Sequence, residues 1–257
     1  MIGKLRQLLR NRAVRESLYS RPEFWDSKVS DYQDSAISMF TNRNLNILLE
    51  RDQFAFIDKV LPDVSGAHVL DVGAGTGRLS RHLAGRGAVV SSFDFAPAVV
   101  EIARRLNGNL PIEAEVFSVF ELDRTEAFDH ATVLGCLSAA CTDATALGDV
   151  AHRLHRALRP GGKVALVEPF HRGFLHRVLD LSLNEALTIF ESAGFDVTHR
   201  AELHFWPVRM VMAPVEWSRL ITNPAHHVGE ALLRLGGPAS GWGDYKGIGL
   251  RRRGVPP

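Results

Sequence analysis

The chain has 257 residues, 46% hydrophobic and 23% charged, and its 30 Lys+Arg against 29 Asp+Glu leave a formal charge of +1. That composition excludes a disordered or collagen-like chain, and the near-neutral charge gives no general attraction to nucleic acid, so no nucleic-acid partner is expected. Two cysteines, Cys136 and Cys141, are too few for a disulfide framework or a structural zinc site, and no apolar run is long enough to span a membrane, so a cytoplasmic setting without membrane insertion is expected.

The first residues set Lys4, Arg6, Arg10, Arg12, Arg15 and Arg21 against Glu16, with Ile2, Leu5, Leu8, Leu9 and Leu18 near helical spacing. This predicts a basic amphipathic helix docked on the domain or on a partner subunit; membrane-surface contact and an Arg-rich presequence are the alternatives. A second helix is predicted from Asn44 to Val60, stopped by Leu61-Pro62.

From His68 the chain alternates. The apolar run HVLDV is followed by a glycine-rich turn, a helix over Thr76 to Arg86, and a second run, AVVSSFDF. A helix begins at Pro97, strands follow at Pro111 to Val116 and His130 to Leu134, and a helix over Asp143 to Leu158 puts Leu147, Val150, Leu154 and Leu158 on one face. The turn Arg159-Pro160-Gly161-Gly162 leads into the strand KVALVEP. Strand and helix in this rhythm predict βαβ units, hence an α/β, doubly wound, mostly parallel sheet with helices on both faces. After a helix over Asn184 to Ala193 capped by Gly194, FDVTHRAELHF reads as a strand. Residues 206–240, punctuated by Pro207, Pro214 and Pro224, read as an inserted hydrophobic cap, and DYKGIGL returns to strand character before a basic tail. The expected division is an N-terminal helical segment or lid (1–60), a ligand-binding core (61–205), the cap (206–240), and a final strand with the tail (241–257).

The strongest chemical signal is VLDVGAGTG, in which a strand bearing Asp71 runs into Gly73, Gly75 and Gly77. Glycine allows positive φ and lets backbone approach a ligand closely, and the next helix start offers free N–H groups, so a nucleotide-like ligand is implied. Arg78 stands where the dinucleotide fingerprint would have its last glycine, which weakens a nicotinamide reading. Asp94, at the end of the next strand, can accept hydrogen bonds from both hydroxyls of a ribose lying over the turn.

With VLDVGAGTG, FDFAPAVVEIARR, AFDHATVLGCLSA and LRPGGKVALVEP in place, the chain resembles the class I S-adenosylmethionine-dependent methyltransferases, especially the small-molecule type 11 group, over roughly residues 20 to 200. The resemblance implies a Rossmann-like, seven-stranded sheet whose last strand is antiparallel, and S-adenosylmethionine as cofactor. It implies that Gly73, Ala74, Gly75 and Gly77, with Asp71 at the strand end, approach the methionine end, that Asp94 holds the ribose, and that Phe95 flanks the adenine. Glu115 and Val116 would bound the adenine, and Gly135 and Cys136 would line the floor near the reactive methyl. In PEFWDSKVSDYQ, Tyr32, with Trp25 and Lys28, is the candidate for a lid over the cofactor, a surface helix being the alternative. LGCLSA in place of an NPPY-like motif argues against adenine-N6 or glutamine methylation, and Cys136, not preceded by proline, reads as a packing residue.

A sulfonium methyl is already activated, so few side chains need to act chemically; a hydroxyl acceptor calls for a base, and His171 in VEPFHRG is the best placed. His204 in LHFWP reads as a packed or sheet-surface histidine, His152 and His155 as solvated, and no metal ligands are expected. Phe205, Trp206, Met210, Met212 and Trp217 suit either an adaptable apolar pocket or packing of the cap onto the sheet. The expected activity is methyl transfer to a small, partly hydrophobic acceptor, O-methylation ahead of N- or C-methylation, with a homodimer as the assembly considered. The rivals are a methyltransferase acting on RNA or protein, a nicotinamide-dependent oxidoreductase, and a catalytically silent cofactor-binding protein.

Overall fold

The structure, a computed structural model, describes residues 15–27, 40–237 and 240–254. Its strands are β1 (His68–Val72), β2 (Val89–Asp94), β3 (Ile112–Val116), β4 (Phe128–Leu134), β5 (Leu158–Glu168), β6 (Phe195–Phe205) and β7 (Gly243–Arg252). They form one sheet in the order β3-β2-β1-β4-β5-β7-β6, parallel from β3 to β5, with β7 antiparallel to both β5 and β6. The chain order reverses between β1 and β4, and at such a switch point the carboxyl ends of the strands open a crevice for a ligand.

Two short helices, α1 (Arg15–Tyr19) and α2 (Pro22–Asp26), precede α3 (Arg43–Val60); the core then adds α4 (Arg78–Gly85), α5 (Pro97–Asn107), α6 (Leu137–Ala140), α7 (Ala144–Ala157) and α8 (Leu183–Ser192). Helical spacing puts Phe56, Ile57 and Val60 of α3 and Leu79 and Leu83 of α4 against Val69, Ala165 and Val167 on one sheet face. On the other, Leu147, Val150 and Leu154 of α7 and Leu187 and Phe190 of α8 cover Leu70, Val72, Val133 and Leu166. Burying each of these Val, Leu, Ile and Phe side chains contributes about 1.5–3 kcal/mol through lost water contact. The Asp143 carboxylate caps α7 by accepting the Ala146 amide at 2.9 Å, which sets the start of that helix where the sequence places it.

Several expectations shift. The helix expected from Thr76 starts at Arg78, because Gly77 (φ 78°) holds the left-handed turn before it. The glycine turn expected before β5 falls inside the strand span Leu158–Glu168, where the pairing with β4 shifts register between Phe128 and His130. His155, expected in solvent, is half-buried with its ring edge-on to Phe195 at 5.4 Å. The basic N-terminal stretch up to residue 14, Lys28 and Tyr32 lie outside the described residues.

Residues 206–236 hold two helices, α9 (Trp206–Met212) and α10 (Arg219–Gly236). Met212 and Ala213 pack on Leu45 and Leu49 of α3 beside Phe40, and Asn42 Nδ2 donates to Met212 O and Thr222 Oγ1, both at 3.2 Å. Much of the apolar surplus expected to line a pocket therefore either seats on α3 or, at Leu220, Ile221, Val228, Leu232 and Leu235, faces outward. No helix among the described residues is long and apolar enough to cross a membrane.

Candidate functional site

At the carboxyl end of β1 the chain turns through Gly73 (φ 64°), Gly75 (φ 56°) and Gly77 (φ 78°). These angles belong to the left-handed region that glycine enters at no steric cost. Gly73 also meets the turn after β4: a Cβ there would lie 2.6 Å from Cys136 Cβ and collide with Cys136 Sγ. The loop is thus kept bare of side chains where β1 and β4 end, and backbone groups form its surface.

Asp94 closes the loop from β2. Its Oδ2 accepts the Gly75 amide at 3.0 Å and its Oδ1 the Ala96 amide at 3.1 Å, while the Ala74 amide donates to Phe93 O at 3.0 Å. Burial raises the Asp94 carboxyl above its ordinary range despite these amides. Each carboxylate oxygen keeps a lone pair beyond its amide partner, which is what a vicinal diol needs.

Asp71 lies beneath the loop, 1% exposed, accepting from Ser80 Oγ at 2.6 Å and Thr132 Oγ1 at 2.9 Å. It ties α4 and β4 to β1 and so acts on the loop from below. Burial, only partly offset by these hydroxyls, pushes its pKa up to about 6.

Phe95 follows Asp94, and Val116 of β3 pairs with Asp94 in register; Glu115 and Val116 are exposed at that edge. Phe117, which sequence reasoning missed, donates its amide to Asp94 O at 3.0 Å and sets its ring edge-on to Phe93 at 5.3 Å. Gly135 (φ 69°) and Cys136 cross the end of β4. Burial pushes the Cys136 thiol well above its ordinary pKa, so it stays protonated, in keeping with a packing role.

Glu168, at the end of β5, was also missed. It is fully buried, and its carboxylate accepts the amides of Cys136 (2.6 Å) and Leu137 (2.8 Å) on Oε1 and of Ser138 (3.1 Å) on Oε2. Asp71, Asp94 and Glu168 are one device at three strand ends, an acid that orders a turn or an adjoining strand, and the sequence signal was an acid at or near the end of each apolar run. Arg177 donates to Gly135 O at 3.2 Å and to the Tyr245 phenol, joining β4 to β7 beside that turn.

The structure brings together residues 71–77, 94–96, 115–117 and 135–136. His171 is placed apart. Nine-tenths buried, it contacts the Asp244 carbonyl through Nε2 at 2.8 Å, and because a carbonyl only accepts, Nε2 carries the proton and Nδ1 the lone pair. It lines a cavity of about 350 Å³ with Phe170, Ser182, Arg200, Glu202 and Lys246, and the glycine loop does not reach into that cavity. Burial lowers its pKa below the ordinary histidine value. Trp25 donates its indole N–H to Tyr19 O, and the neighbouring Asp26 accepts the Ala98 amide at 3.0 Å, which seats the N-terminal segment on the start of α5. At the ends of β6 and β7, Trp206 and Trp242 stack within 2° of parallel at 5.8 Å.

A family model described as "Methyltransferase domain" matches residues 69–162, which run from the glycine loop to the turn within β5. The ubiquinone biosynthesis O-methyltransferase of Xanthomonas oryzae pv. oryzae (strain PXO99A) is 40% identical over 108 residues, 40% of this chain and 44% of the relative. The demethylmenaquinone methyltransferase of Tropheryma whipplei (strain Twist) is 31% identical over 160 residues, 54% of this chain and 61% of the relative. The chain thus spans about half the length of these curated relatives. Among solved structures, the 1,6-didemethyltoxoflavin-N1-methyltransferase of Burkholderia thailandensis, with bound 1,6-didemethyltoxoflavin and S-adenosylhomocysteine, superposes with a TM-score of 0.57 at 20% identity, covering 90% of this chain and 87% of that one. Residues 69–162 thus match the model of a methyltransferase domain, and the sheet around them has the Rossmann-like fold of solved S-adenosylmethionine-dependent methyltransferases.

Proposed function

We propose that this chain transfers a methyl group from S-adenosylmethionine to a small, partly hydrophobic acceptor, with oxygen the favoured acceptor atom. The observation that carries this reading is the coupling of the glycine loop, with no side chain at Gly73, Gly75 and Gly77, to Asp94 at adjoining strand ends. Backbone at Gly73, Ala74, Gly75 and Gly77 would hold the methionine end of the cofactor, Asp94 the ribose, Phe95, Glu115 and Val116 the adenine, and Gly135 with Cys136 the floor. Tyr32 is the candidate lid. The bound cofactor supplies a methyl group already activated by its sulfonium.

What the chain itself must contribute is alignment and the exclusion of water, and such positioning accounts for about 7–11 kcal/mol of a barrier. His171 is the group we assign to the acceptor's proton, an assignment that requires the acceptor to extend from the glycine loop into the separate cavity that His171 lines; its Nε2–H is anchored on Asp244 O, and burial favours the neutral ring. The paired indoles of Trp206 and Trp242 offer a flat apolar wall for an aromatic acceptor. The names of the two curated relatives, a ubiquinone-biosynthesis O-methyltransferase and a demethylmenaquinone methyltransferase, support a small acceptor.

The test is mass spectrometry of small molecules released from gently purified protein, paired with titrations of S-adenosylmethionine and NADH. Co-purified S-adenosylhomocysteine and saturable S-adenosylmethionine binding are expected. Tight NADH binding with no response to S-adenosylmethionine would overturn the reading.

A further inference from the structure

Beneath the two cap helices, three elements far apart in sequence bring acids and histidines to one point. Asp52 comes from α3, His204 from the end of β6, and His226 and Glu230 from one face of α10, a turn apart. One potential ligand atom each from Asp52, His204 and Glu230 lie within 4.8 Å of one another. Around a tetrahedral divalent ion with bonds of about 2.0–2.2 Å, ligand atoms sit about 3.5 Å apart, so side-chain rotation of about 1 Å closes the set.

His204 is the observation that points to a ligand. It is 1% exposed, and neither ring nitrogen has a hydrogen-bond partner. Buried polar side chains are nearly always paired, and an orphaned imidazole costs free energy that its surroundings must return in some other way. Its backbone is also held at φ 63°, a left-handed conformation that a non-glycine residue seldom adopts, so the fold spends strain to keep this side chain where it is. Its amide donates to Glu230 Oε1 at 3.0 Å, fixing one ligand candidate on the other.

The neighbours complete the chemistry. His226 Nε2 donates to Asp52 Oδ2 at 2.7 Å, the arrangement by which an outer partner orients a ligating carboxylate. Among the described residues, the other oxygen of Asp52 meets only the exposed Arg51 guanidinium, at 2.9 Å, and no Lys or Arg pairs with Glu230. Tyr245 packs edge-on to His204 at 5.6 Å and closes the far side. Close approach of the elements is built in at Gly229, where a Cβ would lie 2.9 Å from Phe205 Cβ. Asp52 and Glu230, both half-buried, thus bring two carboxylates to the buried His204 ring, with the exposed Arg51 set against one of them.

We propose that Asp52, His204 and Glu230 bind a divalent transition-metal ion, Zn²⁺ first among them, with His226 as the positioning residue that orients Asp52, so that the ion clamps α10 to α3 and β6. Nitrogen and carboxylate donors suit Zn²⁺ better than Mg²⁺ or Ca²⁺, which take oxygen-only sets. No covalent chemistry is involved, and the inference does not depend on the methyl-transfer reading.

The test is metal binding by the full chain. Chelator-stripped protein is titrated with Zn²⁺ against a competing indicator and, separately, with Co²⁺, whose visible ligand-field bands report a low-coordinate site. One tight equivalent, Co²⁺ bands and a raised melting temperature on Zn²⁺ addition are expected. His204→Phe, which keeps the ring packing, and Glu230→Gln should each lower Zn²⁺ affinity by more than the about 10–100-fold that loss of an outer partner costs. No tight equivalent in the parent protein, or equal uptake by folded parent and variants, overturns the proposal. If His204→Phe does not fold, Glu230→Gln and the parent Co²⁺ spectrum decide it.

Discussion

The Asp94 carboxylate accepts the Gly75 amide at 3.0 Å, so the end of β2 and the glycine turn after β1 form one unit. An acid that would meet a ribose is the same acid that shapes the loop beneath the rest of the cofactor. Losing it removes a ligand contact and a loop restraint together, and the two effects have the same sign.

Asp94→Ala is accordingly expected to weaken S-adenosylhomocysteine binding by about 1.5–3 kcal/mol, the range for charge-assisted hydrogen bonds. Isothermal titration calorimetry reads this directly. Unchanged affinity would remove Asp94 from the ribose role.

Gly73→Ala places a methyl group where Cys136 Cβ lies 2.6 Å away, at a φ of 64°. Both the overlap and the left-handed backbone act against it, so a loss of at least about 1 kcal/mol in stability is expected, with cofactor affinity falling as the loop shifts. Urea unfolding of the parent and variant measures the first part. A variant as stable as the parent would mean that the β1 and β4 turns are not in contact.

Asp71 is buried, and its pKa stands at about 6 against an ordinary 3.8. A folded-state pKa raised in this way means that the native protein binds the proton more tightly than the unfolded chain does. Its contribution therefore favours folding at low pH and is lost as pH rises from about 4 through about 6. In Asp71→Asn, the amide can still accept from one hydroxyl and donate to the other. Relative to the parent, its stability should gain up to about 3 kcal/mol between pH 4 and pH 7, at about 1.4 kcal/mol per unit. Urea midpoints at the two pH values check this, and a pH-independent difference would contradict the assignment.

His171→Ala should reduce turnover by about 10²–10⁴-fold, the usual yield of general base catalysis, while leaving the cofactor dissociation constant unchanged. Single-turnover rates with radiolabelled S-adenosylmethionine, compared with calorimetric affinity, separate the two. Full activity would leave His171 as a residue that merely fastens the β5 end to Asp244 O.

Much of the core was legible because its signals are local. An apolar run of five or six residues with an acid at its end, then glycines, then a helical stripe, can only be a buried strand, a ligand turn and a covering helix, and VLDVGAGTG with Asp94 carried that reading. Glu168 was legible in kind but passed over, since the acid closing KVALVEP repeats the pattern of Asp71 and Asp94. Phe117 gave no such signal; its place follows from pairing between β2 and β3.

The sequence by itself determined the strand and helix rhythm, the bare glycine turn and the acid facing it, because each depends on residues close along the chain. Only the tertiary structure decided the insertion of β7 between β5 and β6, the turning of His171 toward a cavity away from the loop, and the meeting of Asp52, His204 and Glu230. Those relationships depend on which helix face meets which strand end across separations from 26 residues, between His204 and Glu230, to 73, between His171 and Asp244, and beyond. Periodicity along the chain does not encode such distances; the packing of the two sheet faces sets them.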